Sequence, residues 1–494
     1  MKSIVDMAVT IGGYLWGMPL IVCFLGSGLI FSIALRFTQI RNLKEMVKLL
    51  FNGEDSEKGL SSFQAFALAI AGRVGTGNIA GVATAICYGG PGALFWMWVV
   101  AIVGAGISFV EGTVAQLYKE EINGEYRGGG PFYIRKGLKM DRLAKFFAVA
   151  FILTMILTQT GLHANAMASA VEASFGIKSW ICGIVIIALL AVVIIGGVKR
   201  IGSVAEKVVP FMAGAYILMA LIVIGLNINM LPSVIKLIFT SAFGQDQIIG
   251  AAMGTAMIWG TKRAVFSSDA GLSTASPSAG CAEVSHPIKQ GMVQSFSIYI
   301  DTLFVCSATG FMMLMTNCFN VLGTDGQYLV NNLGDMEAGP VWVQAALNSQ
   351  FATIGGMFIA VEMFIFGYTT ILNLYYGSET NLALFYSGKR QPAYVNTILR
   401  IVYLAFTFYG TVLTASDVWN LSDACLGVLL WINMITLCML AKKVVRLLRD
   451  YEAQKKAGLD PIFDPEQFDD IANTESWIPI RDRYMAKRKV DEKV

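Results

Sequence analysis

The chain has 494 residues, of which 55% are hydrophobic and only 14% are charged, whereas an average soluble domain has about 25% charged residues. So few charges could not cover a water-facing surface of this size, which excludes a single soluble globular protein and predicts a chain embedded in a lipid bilayer. The net charge of +3 is small, and no basic run interleaved with aromatic residues predicts a nucleic-acid partner.

Eleven apolar segments are long enough to cross a bilayer, since a transmembrane helix needs about 20 mostly apolar residues. They cover approximately residues 12–35, 61–88, 92–118, 144–171, 180–197, 208–226, 247–282, 291–316, 351–377, 394–413 and 419–445. The second and the seventh are long, and both are interrupted by glycine and polar residues. The sequence therefore predicts an all-α membrane protein with about eleven transmembrane helices.

The distribution of lysine and arginine predicts the orientation of these helices, because both residues favour cytoplasmic loops. Nearly all of the 37 basic residues fall in the loops after odd-numbered segments or in the C-terminal tail, and the long loop 317–350 has none. We therefore expect the N-terminus outside and the C-terminus in the cytoplasm. The tail after Lys442 is polar and mixed in charge, so we expect a partly disordered cytoplasmic appendage.

The two interrupted segments resemble each other at a constant offset of 190 residues. RVGTGNIAGVATA (Arg73–Ala85) and RAVFSSDAGLSTA (Arg263–Ala275) are identical at five of thirteen positions. Transporters are often built from inverted repeats that each contribute one discontinuous helix to a midplane site. Each copy is the start of a set of five segments. Because five is an odd number of membrane crossings, the second set would have the opposite orientation to the first. The predicted units are an extra N-terminal helix and loop (1–60), a first five-helix repeat (61–246), a second repeat (247–445) and a tail (446–494).

The first interruption centres on Gly75-Thr76-Gly77-Asn78 and favours local unwinding, because each glycine costs a helix about 1 kcal/mol. Within a membrane, the freed backbone groups are tolerated only where they are buried in protein or line a cavity. Amides that begin a half-helix attract a carboxylate, and carbonyls that end one attract Na⁺ or an ammonium group. The pattern therefore predicts a site for a zwitterion beside a cation. Close helix packing is the alternative explanation for these glycines.

The ninth segment contains two adjacent hydroxyls, Thr369 and Thr370. A hydroxyl in a membrane helix usually bonds to the carbonyl four residues earlier, but two together could offer oxygens to a hard cation such as Na⁺. Ionisable residues at membrane depth are further candidates for function. These are Arg73, Glu111, His163, Arg263, Asp269, Asp301, Glu362 and Asp423.

The sequence offers no recognisable set of catalytic residues. His163 and His286 are its only histidines, and neither belongs to a Ser-His-Asp arrangement or a metal-spaced cluster. We therefore expect neither an enzyme nor a bound cofactor, and a secondary transporter is the favoured class. An ion channel and an integral membrane enzyme are the alternatives. The internal inverted repeat argues against the channel, and the missing acid/base or metal cluster argues against the enzyme.

Four longer motifs carry a resemblance to a known family: GTGNIAGVATA (Gly75–Ala85), GGPGALFWMW (Gly89–Trp98), GGGPFYIRKGL (Gly128–Leu138) and VFSSDAGLSTASP (Val265–Pro277). Over nearly its whole membrane part the chain resembles the alanine/glycine:cation symporters, sodium-coupled amino-acid carriers of bacteria and archaea. The resemblance implies a LeuT-type fold of inverted five-helix repeats in the plasma membrane. It also implies symport of Na⁺ with a small neutral amino acid such as alanine, glycine or glutamine. A carrier that couples another small zwitterion to H⁺ is the alternative.

The resemblance also implies site residues. The implied substrate site consists of Gly75, Thr76, Gly77, Asn78, Gln159, Trp259, Gly260 and Phe266. The amides of the first break would hold the substrate carboxylate with help from Gln159, and the residues of the second interrupted segment would shape the side-chain pocket. The implied Na⁺ site consists of carbonyls near Ala71 and Val74 and the hydroxyls of Thr369 and Thr370. Arg73 favours a single ion, because its positive charge would repel a second ion beside Asn78.

Overall fold

The computed structural model describes residues 2–51, 58–244, 253–413 and 415–491, and nearly all of its regular structure is helical. The α-helices, numbered in chain order, are α1 (Lys2–Leu15), α2 (Met18–Ala34), α3 (Thr38–Arg41), α4 (Leu43–Phe51), α5 (Ser62–Arg73), α6 (Val82–Gly89), α7 (Ala93–Leu117), α8 (Gly130–Gly137), α9 (Asp141–Thr154), α10 (Thr160–Phe175), α11 (Ser179–Ile194), α12 (Gly197–Leu226), α13 (Leu231–Ala242), α14 (Met253–Ser268), α15 (Ser276–Cys281), α16 (Pro287–Ile298), α17 (Ser307–Met315), α18 (Pro340–Phe351), α19 (Thr353–Ala383), α20 (Ala393–Gly410), α21 (Ala415–Lys456) and α22 (Ile478–Asp491).

Wider and tighter helical turns interrupt or follow some of these helices. Three π-helical segments lie at Gly77–Gly81, Met155–Gln159 and Tyr299–Cys306. Four short 3₁₀ turns lie at Ile228–Met230, Leu384–Tyr386, Pro465–Gln467 and Glu475–Trp477. A π-turn inside an α-helix often marks a functional site, because it displaces side chains from the regular helical positions.

Seven helices within the described residues are long and apolar enough to cross a membrane, or eight if one bent pair counts as a span. The seven are Thr10–Ala34, Ala93–Leu117, Asp141–Phe175, Gly197–Leu226, Pro287–Met315, Thr353–Tyr386 and Trp419–Lys456, and the bent pair is Ser62–Arg73 with Gly77–Gly89. These eight correspond to eight of the eleven predicted segments. The chain is therefore a mostly helical, multi-pass membrane protein.

The remaining three predicted segments are shorter or broken. The fifth corresponds to the 16 residues of α11, and the tenth to the 18 residues of α20. The seventh is divided into α14 and α15, which confirms an interruption there. Its predicted start at 247, and with it the proposed boundary between the repeats, lies outside the described residues.

Two of the predicted loops contain regular structure of their own. Strands β1 (Glu120–Ile122) and β2 (Glu125–Arg127) form an antiparallel hairpin before α8. Strands β3 (Asn320–Leu322) and β4 (Tyr328–Asn331) form a second hairpin, and α18 occupies the end of the loop predicted at 317–350. Both hairpins are too short for the alternating pattern that identifies a strand in a sequence.

The tail differs from its prediction as a partly disordered appendage. Helix α21 continues to Lys456, well beyond the predicted end of the last span at 445, and the chain then folds back onto the membrane domain. Trp477 is completely buried there, and its indole N–H lies 3.2 and 3.1 Å from the carbonyls of Gln116 and Leu117 at the end of α7. The described tail is therefore folded through Asp491, because a few separated aromatic residues anchor a mostly polar segment.

The ends of the two broken helices are joined on the face that carries the tail. Leu60, just before α5, donates its amide to the carbonyl of Cys281 at 3.0 Å and accepts the amide of Glu283 at 3.0 Å. This short parallel bridge connects the start of the first broken helix to the end of the second. The two interruptions are consequently held against each other inside the bundle.

Candidate substrate and sodium site

The first break lies where the resemblance places the substrate carboxylate. Helix α5 ends at Arg73, the π-helical segment begins at Gly77, and the two halves meet at an angle of 47°. The side-chain oxygen of Asn78 accepts the amide of Gly75 at 2.8 Å, and the amide of Asn78 donates to the carbonyl of Gly75 at 3.2 Å. Asn78 thus closes the break internally. The first amides of the new half-helix, those of Thr76 and Gly77, remain the candidates for a bound anion.

Asp301 is a buried partner of this break that the sequence marked as ionisable but did not assign to the site. Its carboxylate accepts the side-chain amide of Asn78 at 2.6 Å, the hydroxyl of Thr302 at 2.7 Å and the hydroxyl of Ser267 at 3.2 Å. Ser267 belongs to α14, so this carboxylate connects the first break to the second interrupted helix. Asn78, Asp301 and Gln159 each lie in one of the three π-helical segments.

Phe266, one of the residues predicted to shape the side-chain pocket, covers the first break. A Cβ atom on Gly77 would lie 2.9 Å from the Phe266 ring, so only a glycine allows the ring to approach this closely. The ring also lies 4.9 Å from that of Trp419 and 6.4 Å from that of His163, measured between centroids. His163 in turn lies 2.7 Å from the hydroxyl of Thr76. Trp419 and His163 therefore complete an aromatic enclosure around the break.

The other three predicted substrate residues contact other parts of the helix bundle. Trp259 stacks on Tyr88 with centroids 4.6 Å apart. Gly260 lies in a tight helix contact, because a Cβ atom there would come within 2.5 Å of the carbonyl of Ala93. The side-chain amide of Gln159 donates to the hydroxyl of Ser422 at 2.5 Å, which joins its helix to α21.

The predicted Na⁺ ligands lie where α19 passes the end of α5. The hydroxyl of Thr370 lies 3.0 Å from the carbonyl of Ala71 and 2.8 Å from that of Phe366, and it is so close to Gly75 that a Cβ atom there would collide with it. Val74 is fully buried at the same helix end. The hydroxyl of Thr369 instead contacts carbonyls of its own helix and the sulfur of Met212. The structure thus brings Thr370 to Ala71, whereas Thr369 lies on another side of α19.

These oxygens are a chemically suitable set for Na⁺, because hard cations prefer carbonyl and hydroxyl ligands. Within the described residues no group of three or more His, Cys, Asp or Glu side chains could hold a metal ion. A cation bound between α5 and α19 would therefore depend on backbone and hydroxyl oxygens.

Arg73 fixes the geometry of both interruptions. Its guanidinium donates to the carbonyl of Ser268 at 2.8 Å, where α14 ends, and to the carbonyl of Gln294 at 3.1 Å in α16. The hydroxyl of Ser108 accepts a further bond at 2.9 Å. Its hydrogen-bond partners are carbonyls, hydroxyls and an amide side chain, so Arg73 acts as a buried anchor for unwound backbone.

Glu111 has a similar role at the second break. One carboxylate oxygen accepts the amide of Gly271 at 3.2 Å, and the other accepts the side chain of Asn433 at 2.7 Å. Asn433 also donates to the carbonyl of Gly271 at 2.7 Å. Asp269, in the same break, has the left-handed backbone angle φ = 57° and a buried side-chain oxygen without a hydrogen-bond partner. Side chains from α7 and α21 therefore stabilise the unwound backbone after α14.

A cavity of about 200 Å³ lies beside Trp419, next to the aromatic enclosure. Its wall includes Ala80 from the first broken helix, Asn165 and Ser169 from α10, and residues 337–341 before and at the start of α18. Since Trp419 contacts Phe266, these two rings separate the cavity from the break at Gly77. The cavity therefore lies on the α18 side of these rings.

Comparison with known sequences identifies relatives over most of the chain. The model of the sodium:alanine symporter family matches residues 1–465. The putative sodium/proton-dependent alanine carrier protein YrbD of Bacillus subtilis is 49% identical, with 96% of this chain and 97% of the relative covered. The probable sodium/glutamine symporter GlnT of the same organism is 38% identical, with 98% of each covered.

Comparison with solved structures supports the fold independently. The manganese transporter of Eremococcus coleocola, in one mutant form, aligns with a TM-score of 0.55 over 85% of this chain and 93% of that transporter. Sequence identity is only 12%, so this likeness concerns the fold alone. It confirms the predicted LeuT-type architecture.

Proposed function

Because the chain belongs to the sodium:alanine symporter family, we propose that it carries a small neutral amino acid together with Na⁺ by alternating access. Members of this family are amino-acid symporters and not enzymes. The observation that carries the finer proposal is the first break, where half-helix amides lie beside the oxygens of Ala71 and Thr370. A zwitterion and a cation fit these two adjacent environments.

The carboxylate of the substrate would be held by the backbone at Thr76 and Gly77. The amides that begin a helix have no partner in that helix and carry part of the positive end of its dipole. Gly75 is already bonded to Asn78, so it would act by shaping the break. Because backbone amides bind what all amino acids share, this part of the site would not select between side chains.

Selection between side chains would come from Phe266. Its ring lies directly over Gly77 and against Trp419, which leaves little space beside the break. This favours alanine or glycine over glutamine, although the names of two relatives point to an alanine and a glutamine carrier respectively.

The coupling ion would bind between α5 and α19, at Ala71, Val74 and Thr370, with Thr369 as a further candidate. In the structure the hydroxyl of Thr370 shares its one proton between the carbonyls of Ala71 and Phe366. A Na⁺ ion between these oxygens would replace that hydrogen bond and hold the two helices together. YrbD is named sodium/proton-dependent, and an H⁺-coupled carrier is the alternative for this chain.

The proposal is tested by counterflow of labelled alanine into proteoliposomes, with and without Na⁺. Gly77→Ala should reduce counterflow roughly tenfold or more, since its Cβ atom displaces Phe266 or the backbone of Ser267, and tenfold corresponds to about 1.4 kcal/mol. Gly81→Ala is the matched control, because nothing lies within 4 Å of a Cβ atom at that position. Phe266→Ala should increase the counterflow of glutamine relative to that of alanine.

Each part of the proposal has its own contrary outcome in this experiment. Absence of counterflow in the unsubstituted protein would reject amino-acid transport of this class. Equal counterflow without Na⁺ would reject sodium coupling. Equal counterflow by the folded Gly77→Ala and Gly81→Ala proteins would reject the first break as the carboxylate site.

A further inference from the structure

The tail beyond the family match has a definite place on the protein. The match to the family model ends at residue 465, but the described chain continues through the 3₁₀ turn Glu475–Trp477 and helix α22. These residues lie on the face where α7 ends and α16 begins, which we call the tail face. The contacts of residues 466–491 therefore lie outside the part of the chain that the family model matches, whereas those of residues 460–463 lie inside it.

One attachment of the tail is an aromatic anchor on α7. The Trp477 indole N–H donates to the last-turn carbonyls of α7, and its ring lies 5.2 Å from the ring of Phe463. The ammonium group of Lys119 lies 4.6 Å from the same indole ring and donates to the carbonyl of Ala282 at 3.0 Å. A tail residue, the end of α7 and the loop after α15 thus form one buried contact.

A second attachment binds the loop of residues 282–286, between α15 and α16. The amide of Phe463 donates to the carbonyl of Ser285 at 2.9 Å, and the hydroxyl of Ser285 donates to the carbonyl of Pro461 at 2.7 Å. Lys289 forms an ion pair with Asp460 at 2.7 Å. Arg483 of α22 forms another with Glu283.

This loop is directly connected to both broken helices. Helix α15, the second half of the broken helix, is only six residues long and ends at Cys281, next to the loop. The bridge from Leu60 to Cys281 and Glu283 links the same loop to the start of α5. Fixing the loop therefore fixes the tail-face ends of both discontinuous helices.

The cavities on the two faces differ in whether they reach the candidate site. The 200 Å³ cavity on the α18 side reaches Trp419 and Ala80 beside the candidate site. A 360 Å³ cavity on the tail face is lined by α4, the loop 283–285 and tail residues such as Asp460 and Tyr484, and no residue of either break lines it. The tail thus lies over the face whose cavity does not reach the candidate site.

We propose that the tail residues 460–483 act as a strap that stabilises the state closed on the tail face, and that the strap must loosen whenever this face opens. This inference rests on the proposed alternating-access function. In such a cycle the half-helices next to the site move as the closed face opens. A segment bonded to α7 and to the 282–286 loop opposes that motion by the free energy of its contacts, and so biases the equilibrium between the two states.

Two cysteine reporters on opposite faces test the strap. The first is the native Cys281, only 1% exposed, in a protein whose other seven cysteines are replaced. The second is Ser169→Cys in a cysteine-free protein, on the wall of the opposite cavity. Asn473 of the tail donates to the carbonyl of Lys136 just before α9, and Ser169 lies near the far end of the helical span Asp141–Phe175, beside the start of α18. The two reporter positions therefore lie on opposite sides. Labelling by a maleimide in detergent solution is measured for both.

The variants separate the strap from a general loss of stability. Trp477→Phe removes the indole donor and retains an aromatic ring. Trp342→Phe is the matched control, because it makes the same change at a buried position of α18, where the indole donates to the carbonyl of Met336. Asp460→Lys breaks the ion pair with Lys289, and adding Lys289→Asp restores it with the charges exchanged. Trp477→Phe and Asp460→Lys should increase the labelling of Cys281 about two- to tenfold, the range expected for one lost bond.

The reporter on the opposite face distinguishes a strap from a passive cover. A shift of the whole protein toward the state open on the tail face should lower the labelling of Ser169→Cys in the same variants, and the exchanged ion pair should restore both rates. An unchanged rate at Ser169→Cys, or no restoration by the exchange, overturns the proposal. Alanine binding to the same unsubstituted protein is measured separately. Absence of binding would count against the proposed function, whereas the labelling rates test the strap independently.

Discussion

Thr369 and Thr370 show how two adjacent, identical side chains can differ in surroundings. Both hydroxyls bond back to carbonyls of α19, as hydroxyls in membrane helices usually do. Beyond α19, Thr370 reaches the carbonyl of Ala71 in α5, whereas Thr369 reaches the sulfur of Met212 in α12. Adjacent residues on a helix point about 100° apart, so one of them faces α5 and the other faces Met212 of α12.

We therefore expect Thr370→Val to weaken Na⁺ binding more than Thr369→Val. Valine has nearly the same shape but no hydroxyl, and a lost bond to a charged group costs about 1.5–3 kcal/mol, or roughly tenfold or more in the Na⁺ concentration for half-maximal uptake. Alanine uptake into proteoliposomes as a function of Na⁺ measures the effect, with melting temperature in the absence of Na⁺ as the control for folding. Equal shifts in the two variants would contradict the assignment of Thr370 as the ligand.

Residues of the site differ in how far the sequence could predict them. Gly75, Gly77 and Thr370 were identifiable because glycine inside a membrane helix and paired hydroxyls are locally unusual. His163 and Asp301 were recognised only as ionisable residues at membrane depth. Their contacts with Thr76 and Asn78 join positions 87 and 223 residues apart, and no local pattern encodes such a pairing.

At the scale of elements, helix α16 begins with a histidine cap that is part of the tail contact. The Nδ1 atom of His286 accepts the amide of Ile288 at 3.2 Å, and Nε2 lies 3.2 Å from a carboxylate oxygen of Asp450 in α21. Nδ1 must keep its lone pair to accept the amide, so the ring is neutral with its proton on Nε2. Burial lowers the pKa of His286, an effect opposed by Asp450 and Asp460 and reinforced by Lys289.

Acidification should therefore loosen this contact. The pKa of His286 is about 6.5 when exposed and lower when buried, so the folded contact binds the proton less well than the released one. Its contribution to stability is present above about pH 6.5 and is lost as the pH falls toward the lowered value. His286→Asn retains a cap acceptor but cannot titrate in this range, so its melting temperature should fall less between pH 7.5 and 5.5 than that of the unsubstituted protein.

The elements that the sequence predicted well are those determined by local composition. Helix α7 stands within a few residues of its predicted span at both ends, and α19 does so at its start, because a long apolar run has few other stable structures in a membrane. Helix α12 begins at Gly197, well before the predicted 208, because its first turns carry charged residues that an apolar window excludes. The fold of the tail was missed for a similar reason, since it depends on distant partners such as Gln116 rather than on hydropathy.

At the scale of the whole molecule, the two broken helices determine the organisation. Arg73 holds the end of α5 to the end of α14, and Glu111 holds the backbone after α14 to α7. These contacts keep unwound backbone bonded inside protein, as a membrane requires. The same arrangement leaves the aromatic enclosure of Phe266 and Trp419 between the break and one face, and the tail over the other. The two faces of the candidate site are therefore covered by different parts of the chain.

The orientation of these faces is a prediction that the structure makes easy to test. Helix α18 precedes α19, and three successive helices, α19, α20 and α21, lead from it to the tail, so α18 and the tail lie on opposite sides. Loops rich in lysine and arginine favour the cytoplasm, and the loop before α18 has neither residue between 317 and 350. We expect α18 outside and the tail in the cytoplasm.

Two single-cysteine proteins in a cysteine-free background provide the measurement. Ser349→Cys lies at an exposed position near the end of α18, and Lys489→Cys lies at an exposed position of α22. In intact cells a membrane-impermeant maleimide should label Ser349→Cys, and it should label Lys489→Cys only after permeabilisation. The opposite pattern would reverse the orientation. It would also place the tail outside the cell, so that the strap would close the extracellular route instead of the cytoplasmic one.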